Sequence, residues 1–78
     1  MTHDQATTIQ RLTNQNNFEI SRLKADLEFS EVVPESTIAH QLYLIHLGAG
    51  ADPERALFLT VEDRKEDLAW DIEFIVNN

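Results

Sequence analysis

The chain has 78 residues, of which 42% are hydrophobic and 26% are charged, and it contains no cysteine. A chain of this length forms one small domain, which neither disulfides nor cysteine-based metal sites can stabilise. Fourteen acids against six bases give a net charge of −8, which excludes electrostatic attraction to nucleic acid or to anionic lipid.

The first third of the chain predicts an amphipathic helix. Residues 14–17 read Asn-Gln-Asn-Asn, which are poor helix formers, and one of these asparagines can cap a helix that begins at Phe18. Either one helix or two fits this region; we favour a frayed first segment, with residues 1–8 disordered, and a firm helix over residues 18–30. The apolar residues of this region fall within one narrow arc of a helical wheel: Ile9, Leu12, Ile20, Leu23 and Leu27.

A second helix is predicted over residues 35–47. Val33 precedes proline and is therefore restricted to extended geometry, which places a turn before this helix. The helix is expected to begin near Pro34 or Ser36 and to end at Gly48, whose missing Cβ suits a left-handed cap. Because apolar residues lie all round this helix, we expect it to be central in the fold.

The last third of the chain is predicted to be helical as well. Asp52 followed by Pro53 indicates an N-cap and a first helical residue. One bent helix, or a short helix followed by a longer one that restarts at Thr60, fits the apolar spacing. Residues 57–76 also alternate between apolar and polar, which leaves a β-hairpin open. The predicted fold is all-α, a bundle of three to four helices, and the alternative is an α+β fold with a C-terminal hairpin.

The sequence carries no motif for catalysis. The serines lie in no nucleophile motif, and the short glycine-containing linker at residues 48–51 is not followed by the lysine of a phosphate loop. His40 and His46 are six residues apart and so face different sides of a helix, where they cannot share one metal ion. We expect them to lie partly buried or at the rim of the domain, with a pH-sensitive interface as the alternative. No catalytic residue, cofactor or metal ion is expected.

The candidate binding site lies on the last predicted helix. Trp70 and Phe74, one turn apart, project from the side opposite to the apolar stripe of that helix. Exposed rings give binding free energy when a partner removes them from water. Carboxylates around them orient a basic partner and raise its association rate. The alternative is that both rings pack inside the domain against the first helix, at residues Phe18, Ala25 and Phe29. The acids on the side of the rings are Glu62, Asp63, Glu66, Asp67, Asp71 and Glu73.

These features predict a protein-interaction module: a small regulator, adaptor or inhibitor that docks on a larger protein with a basic surface. The alternative is a DNA-mimic inhibitor, of phage, plasmid or nuclease-immunity type, whose carboxylates occupy a nucleic-acid-binding site. The apolar second helix also suggests a homodimer. Direct binding to nucleic acid or to a membrane is not expected. Because no apolar run approaches the roughly 18 residues of a membrane span, and the first residues lack a signal-peptide pattern, we expect a cytoplasmic protein.

Overall fold

A computed structural model describes all 78 residues, and its secondary structure consists of three α-helices and no strand. The helices are α1 (His3–Phe29), α2 (Ile38–Gly48) and α3 (Pro53–Asn77). The predicted all-α bundle is therefore confirmed. The alternative of a C-terminal hairpin is wrong, because residues 57–76 lie inside α3. None of the three helices has the length and hydropathy of a membrane span.

Helix α1 is continuous and longer than the sequence predicts. It begins with a capping box, in which Thr2 accepts the backbone N–H of Gln5 and the Gln5 side chain accepts that of Thr2. The Gln5 amide also donates to the carbonyl of Ile75 at 2.9 Å. Of the two possibilities, one helix or two, the structure shows one, which begins 15 residues before the firm helix predicted from Phe18 and continues through residues 14–17. The cap and the neighbouring α3 offset the weak helix propensity of these residues.

Helix α2 begins later than predicted. Its N-cap is Thr37, rather than Pro34 or Ser36, and the Thr37 hydroxyl accepts the backbone N–H of His40 at 3.1 Å. A threonine suits this position because its oxygen can satisfy one of the free N–H groups of the first turn. The residues between α1 and Thr37 form a connection without helix or strand.

The C-terminal cap of α2 lies two residues beyond the predicted position. Gly50, not Gly48, has a positive φ of 105°. The N–H groups of Gly50 and Ala51 donate to the carbonyls of Leu47 and His46 at 3.0 and 3.1 Å. This pair of bonds is the Schellman motif, which requires a residue that tolerates positive φ. Gly48 itself is the last residue of the helix.

Helix α3 begins as the sequence predicts but does not restart at Thr60. Asp52 is the N-cap, its carboxylate accepts the backbone N–H of Arg55 at 2.9 Å, and proline follows at the first helical position. Thr60 is fully buried, and its hydroxyl donates to the carbonyl of Ala56 at 2.8 Å. Because the Thr60 hydroxyl is satisfied within the same helix, it caps no new helix.

The helices form two layers. Helices α1 and α3 run antiparallel, since the start of α1 bonds to the end of α3, and the molecule is 43 Å long. Helix α2 packs on one end of this pair, where the core consists of Leu23, Ala39, Tyr43 and Ala56. All buried residues lie between residues 16 and 60. The other end of the pair lacks a third helix, and we call it the stem: residues 3–15 of α1 and 66–77 of α3.

The position of α2 differs from the expected central one. Tyr43 faces the core, but Ile38 and Ile45 on the opposite side of α2 are exposed. The two long helices pack against each other, so α2 can cover them from one side only. Its apolar outer face is therefore left on the surface of the molecule.

Candidate functional site

Trp70 and Phe74 lie on the surface of the stem. Their side chains are 65% and 70% exposed. The alternative in which they pack against α1 is wrong, and two of the residues proposed as their neighbours, Phe18 and Phe29, are exposed as well. Helix α1 contacts a different side of α3, so both rings are left facing solvent.

Helix α3 has two contact seams. The first faces α1, where Arg64 donates to Glu19 across the two helices at 3.3 Å. The second faces α2, where Asp63 is bonded to His46 at 2.7 Å and where Thr60 is fully buried. A helix with two seams has only a narrow side left for solvent wherever both of its neighbours are present.

The second seam continues past the end of α2 into the stem. Seven residues make nearly two helical turns, so residues seven apart lie on the same side of a helix. Seven residues after Thr60 and Asp63 come Asp67 and Trp70, and Phe74 lies one turn after Trp70. Trp70 and Phe74 therefore extend the side of α3 that α2 covers at the other end of the molecule.

Four carboxylates flank the two rings. On a helical wheel Asp67 and Asp71 lie between the rings and α1, whereas Glu66 and Glu73 lie on the solvent side. Asp67 alone among the four forms a salt bridge, which stays within α3. No lysine or arginine occurs after residue 65. Three of the four carboxylates around the rings, those of Glu66, Asp71 and Glu73, therefore have no salt-bridge partner.

The other two predicted acids lie away from the rings. Glu62 pairs with Lys65 at 3.4 Å on the surface of α3. Asp63 is turned toward α2, where it binds His46. The structure thus brings four of the six predicted acids around Trp70 and Phe74 and uses a fifth, Asp63, to hold the fold together.

The two histidines of α2 bind different helices. Nε2 of the fully buried His40 lies 2.7 Å from the Asp26 carboxylate of α1, and Nε2 of His46 lies 2.7 Å from that of Asp63 in α3. Nδ1 of His40 is 2.6 Å from the Thr37 hydroxyl. A hydroxyl that donates to Nδ1 leaves the Nε2 proton of His40 for Asp26. The two rings face different sides of α2, as predicted, and both connect helices.

The bond to His40 changes the acidity of Asp26. This hydrogen bond, with the nearby guanidinium of Arg22, outweighs desolvation and holds the pKa of Asp26 below its ordinary value of 3.8. Arg22 approaches Asp26 at 3.5 Å from one turn earlier in α1. Burial raises the pKa of the Tyr43 hydroxyl beside this region.

Glu19 links all three helices, a role that the sequence did not reveal. Its carboxylate is nearly buried and accepts hydrogen bonds from the backbone N–H of Ala39 at 3.1 Å and from Arg64 at 3.3 Å. The sequence contains one signal that indicates this role of Glu19. The apolar stripe of α1 is interrupted by Asn16 and Glu19, which occupy inward positions between Leu12 and Leu23, and both are buried. A polar residue at an inward position needs partners from other elements.

The surface offers no enclosed cleft. Three open hollows of 290 to 440 Å³ lie beside α2, along the outer face of α1 and at the start of α3. No three histidine or carboxylate side chains are grouped to hold a metal ion. The stem presents its rings and carboxylates on a helical face that is open to solvent.

Comparisons with protein-family models, with curated proteins and with solved structures found no match.

Proposed function

We propose that this chain is a non-enzymatic protein-interaction module, a small regulator, adaptor or inhibitor that docks the stem on a basic surface of a larger protein. One observation carries the proposal: Trp70 and Phe74 stand one turn apart, mostly exposed, among four carboxylates of which only Asp67 is in a salt bridge. Leaving a large apolar side chain in water forgoes about 2 kcal/mol of burial free energy. A partner surface that covers both rings recovers this free energy as affinity.

The composition of the stem supports the proposal, because it combines the two kinds of residue that a binding site needs. Binding hot spots are enriched in tryptophan and are surrounded by polar residues that exclude water. Opposite charges across an interface mainly raise the association rate and reject wrong partners. In the stem, Trp70 and Phe74 supply the apolar anchors, and four carboxylates supply the charge around them.

The placement of the histidines supports a role without catalysis. His40 and His46 are the natural candidates for acid–base chemistry near neutral pH. Each one is bonded to an aspartate of another helix, where it holds α2 in place. Neither histidine lies beside Trp70 or Phe74.

Affinity capture with matched variants tests the proposal. The natural chain, the double variant Trp70→Ala/Phe74→Ala and the control Phe29→Ala are immobilised, and retained proteins are quantified by mass spectrometry. Phe29 is an equally exposed ring at the far end of α1. We expect a retained protein that the natural chain and the Phe29 variant share and that the double variant loses. Retention that is equal for all three chains would contradict the proposal.

Ionic strength separates this proposal from the alternative of a DNA mimic. Binding anchored by two rings should weaken only modestly between low and physiological salt, because apolar burial is not screened. A DNA mimic relies on its carboxylates, so it should lose affinity steeply with salt and compete with duplex DNA for its partner. Steep salt dependence together with insensitivity to the ring substitutions would favour the mimic.

A further inference from the structure

We infer that the element docking on the stem is a basic amphipathic helix, which lies over the second seam of α3 in the layer that α2 occupies at the other end. This inference rests on the proposed function and specifies the structure and charge of the partner. It follows from the layering of the molecule, from the charge of the stem and from the spacing of its apolar side chains.

The stem has room for a further helix in the layer that α2 occupies at the other end of the molecule. Helix α2 covers the second seam only as far as Asp63, where it is bonded through His46. Beyond this point the same side of α3 runs uncovered to its end, over residues 66–77. A helix packs into the groove between two others at an interaxial distance of about 8–10 Å. Helices α1 and α3 stay paired along the stem, where the Gln5 side chain donates to the carbonyl of Ile75, so a second helix can pack on this pair as α2 does.

Apolar side chains in the stem remain incompletely covered. Leu12 of α1 and Leu68 and Ile75 of α3 are half-buried although they lie at the seam between the two long helices. Trp70 and Phe74 stand at i and i+4 on the second seam, with Asp67 and Asp71 between them and α1. Residues at i and i+4 lie one above the other on the same face of a helix. A third helix packed on this face would therefore contact both rings.

The charge of the stem decides what kind of helix fits. The α3 part of the stem has four carboxylates and no base. A second copy of this chain would bring its own net charge of −8 to the same region, and the two would repel each other. A helix with lysine or arginine on both sides of an apolar stripe would place positive charge against both carboxylate rows.

A designed peptide tests the inference with the full chain. The probe is a tryptophan-free helical peptide with a leucine stripe flanked by lysines. Its matched control has glutamate at every lysine position. Trp70 is the single tryptophan, so its emission reports on the stem alone. We expect the basic peptide to shift the Trp70 emission to the blue, saturating at one peptide per chain, and the acidic peptide to leave it unchanged.

Variants of the chain separate anchoring from charge. Phe74→Ala should weaken binding of the basic peptide by about tenfold or more, as loss of a hot-spot ring does. The double variant Glu66→Gln/Asp71→Asn should weaken it and reduce its salt dependence. The matched control Glu28→Gln/Glu31→Gln removes two exposed acids at the other end of the molecule and should bind as the natural chain does.

Three results would overturn the inference. Equal shifts with both peptides would show that charge does not select the partner. Equal loss of affinity in both acid variants would show that the peptide responds to net charge rather than to the stem. A blue shift on concentrating the chain alone, with dimerisation seen by sedimentation, would assign the position to a second copy. If the peptide fails but capture of a partner still depends on Trp70 and Phe74, the inference fails and the proposed function stands.

Discussion

Glu19, His40 and His46 connect helices that share only a small apolar core. Four hydrophobic residues are fully or nearly buried, which is little for a chain of this size. Each of the three polar side chains bonds to a different helix from its own. Such buried polar groups limit the ways in which the helices can pack. Any other packing would leave the groups without hydrogen-bond partners. They fix where α2 sits and therefore where the stem begins.

Removing the Glu19 carboxylate should be strongly destabilising. Glu19→Ala leaves the N–H of Ala39 and the guanidinium of Arg64 without this partner, and breaking such a pair costs about 3 kcal/mol. Arg64 keeps its bond to Asp67, which limits the loss. Urea unfolding followed by circular dichroism measures the change. Glu28→Ala, an exposed acid on the same helix, should change stability by no more than about 0.5 kcal/mol, and an equally small effect of Glu19→Ala would contradict the linking role.

The bond between His40 and Asp26 should make stability depend on acid pH. The folded-state pKa of Asp26 lies below its ordinary value of 3.8, so its contribution is fully present above that pH and is lost as the pH falls through the folded pKa. Asp26→Asn lacks this contribution. The urea midpoint of the natural chain should therefore exceed that of the variant near neutrality and approach it in acid. The control Asp71→Asn alters an exposed acid without a salt bridge, and if it behaved like Asp26→Asn, the bond would not be the cause.

The two glycines at the C-terminal end of α2 have opposite roles. Gly50 has a φ of 105° in the Schellman motif, whereas Gly48 is helical and has open space where a Cβ would stand. Gly50→Ala should lower the free energy of unfolding by about 1 kcal/mol, because a Cβ is strained at positive φ. Gly48→Ala should raise it by about 0.5–1 kcal/mol through helix propensity. Thermal unfolding measures both, and equal shifts of the same sign would contradict this assignment of the cap.

Helix starts with a local chemical signal were predictable, and features that depend on distant residues were not. Asp52 and Pro53 mark the start of α3 by their own cap chemistry, and the structure confirms them. The continuity of α1 through its asparagines depends on α3, which begins more than 35 residues later in the chain. Thr60 resembles a cap in the sequence, but the burial that makes it an interior residue comes from packing. At such positions, tertiary contacts override the helix propensity of the residues themselves.

The exposure of Trp70 and Phe74 was likewise left open by the sequence. A helical wheel of α3 places both rings away from the apolar stripe that faces α1, which fits either a free surface or a second covered side. The length of α2 decides between the two. It has 11 residues, far fewer than its long neighbours, so it covers the second seam of α3 near the core and leaves the stem open.

The molecule as a unit divides into a packed end and an open end. At the packed end, α2 closes the groove between α1 and α3 over the core. At the open end, the second seam of α3 carries two rings, with four carboxylates around them, that the fold itself leaves uncovered. A surface that serves a partner contributes little to the stability of the free protein. The stem should therefore tolerate loss of its rings.

The free energy of unfolding of Trp70→Ala/Phe74→Ala, measured by urea titration against the natural chain, tests whether these rings belong to a docking surface. We expect each substitution to change stability by no more than about 0.5 kcal/mol, as is usual for exposed positions. Replacing an aromatic residue of a protein core by alanine lowers the free energy of unfolding by about 3–5 kcal/mol. A loss of that size would show that the rings hold the fold together and would contradict their role in binding a partner.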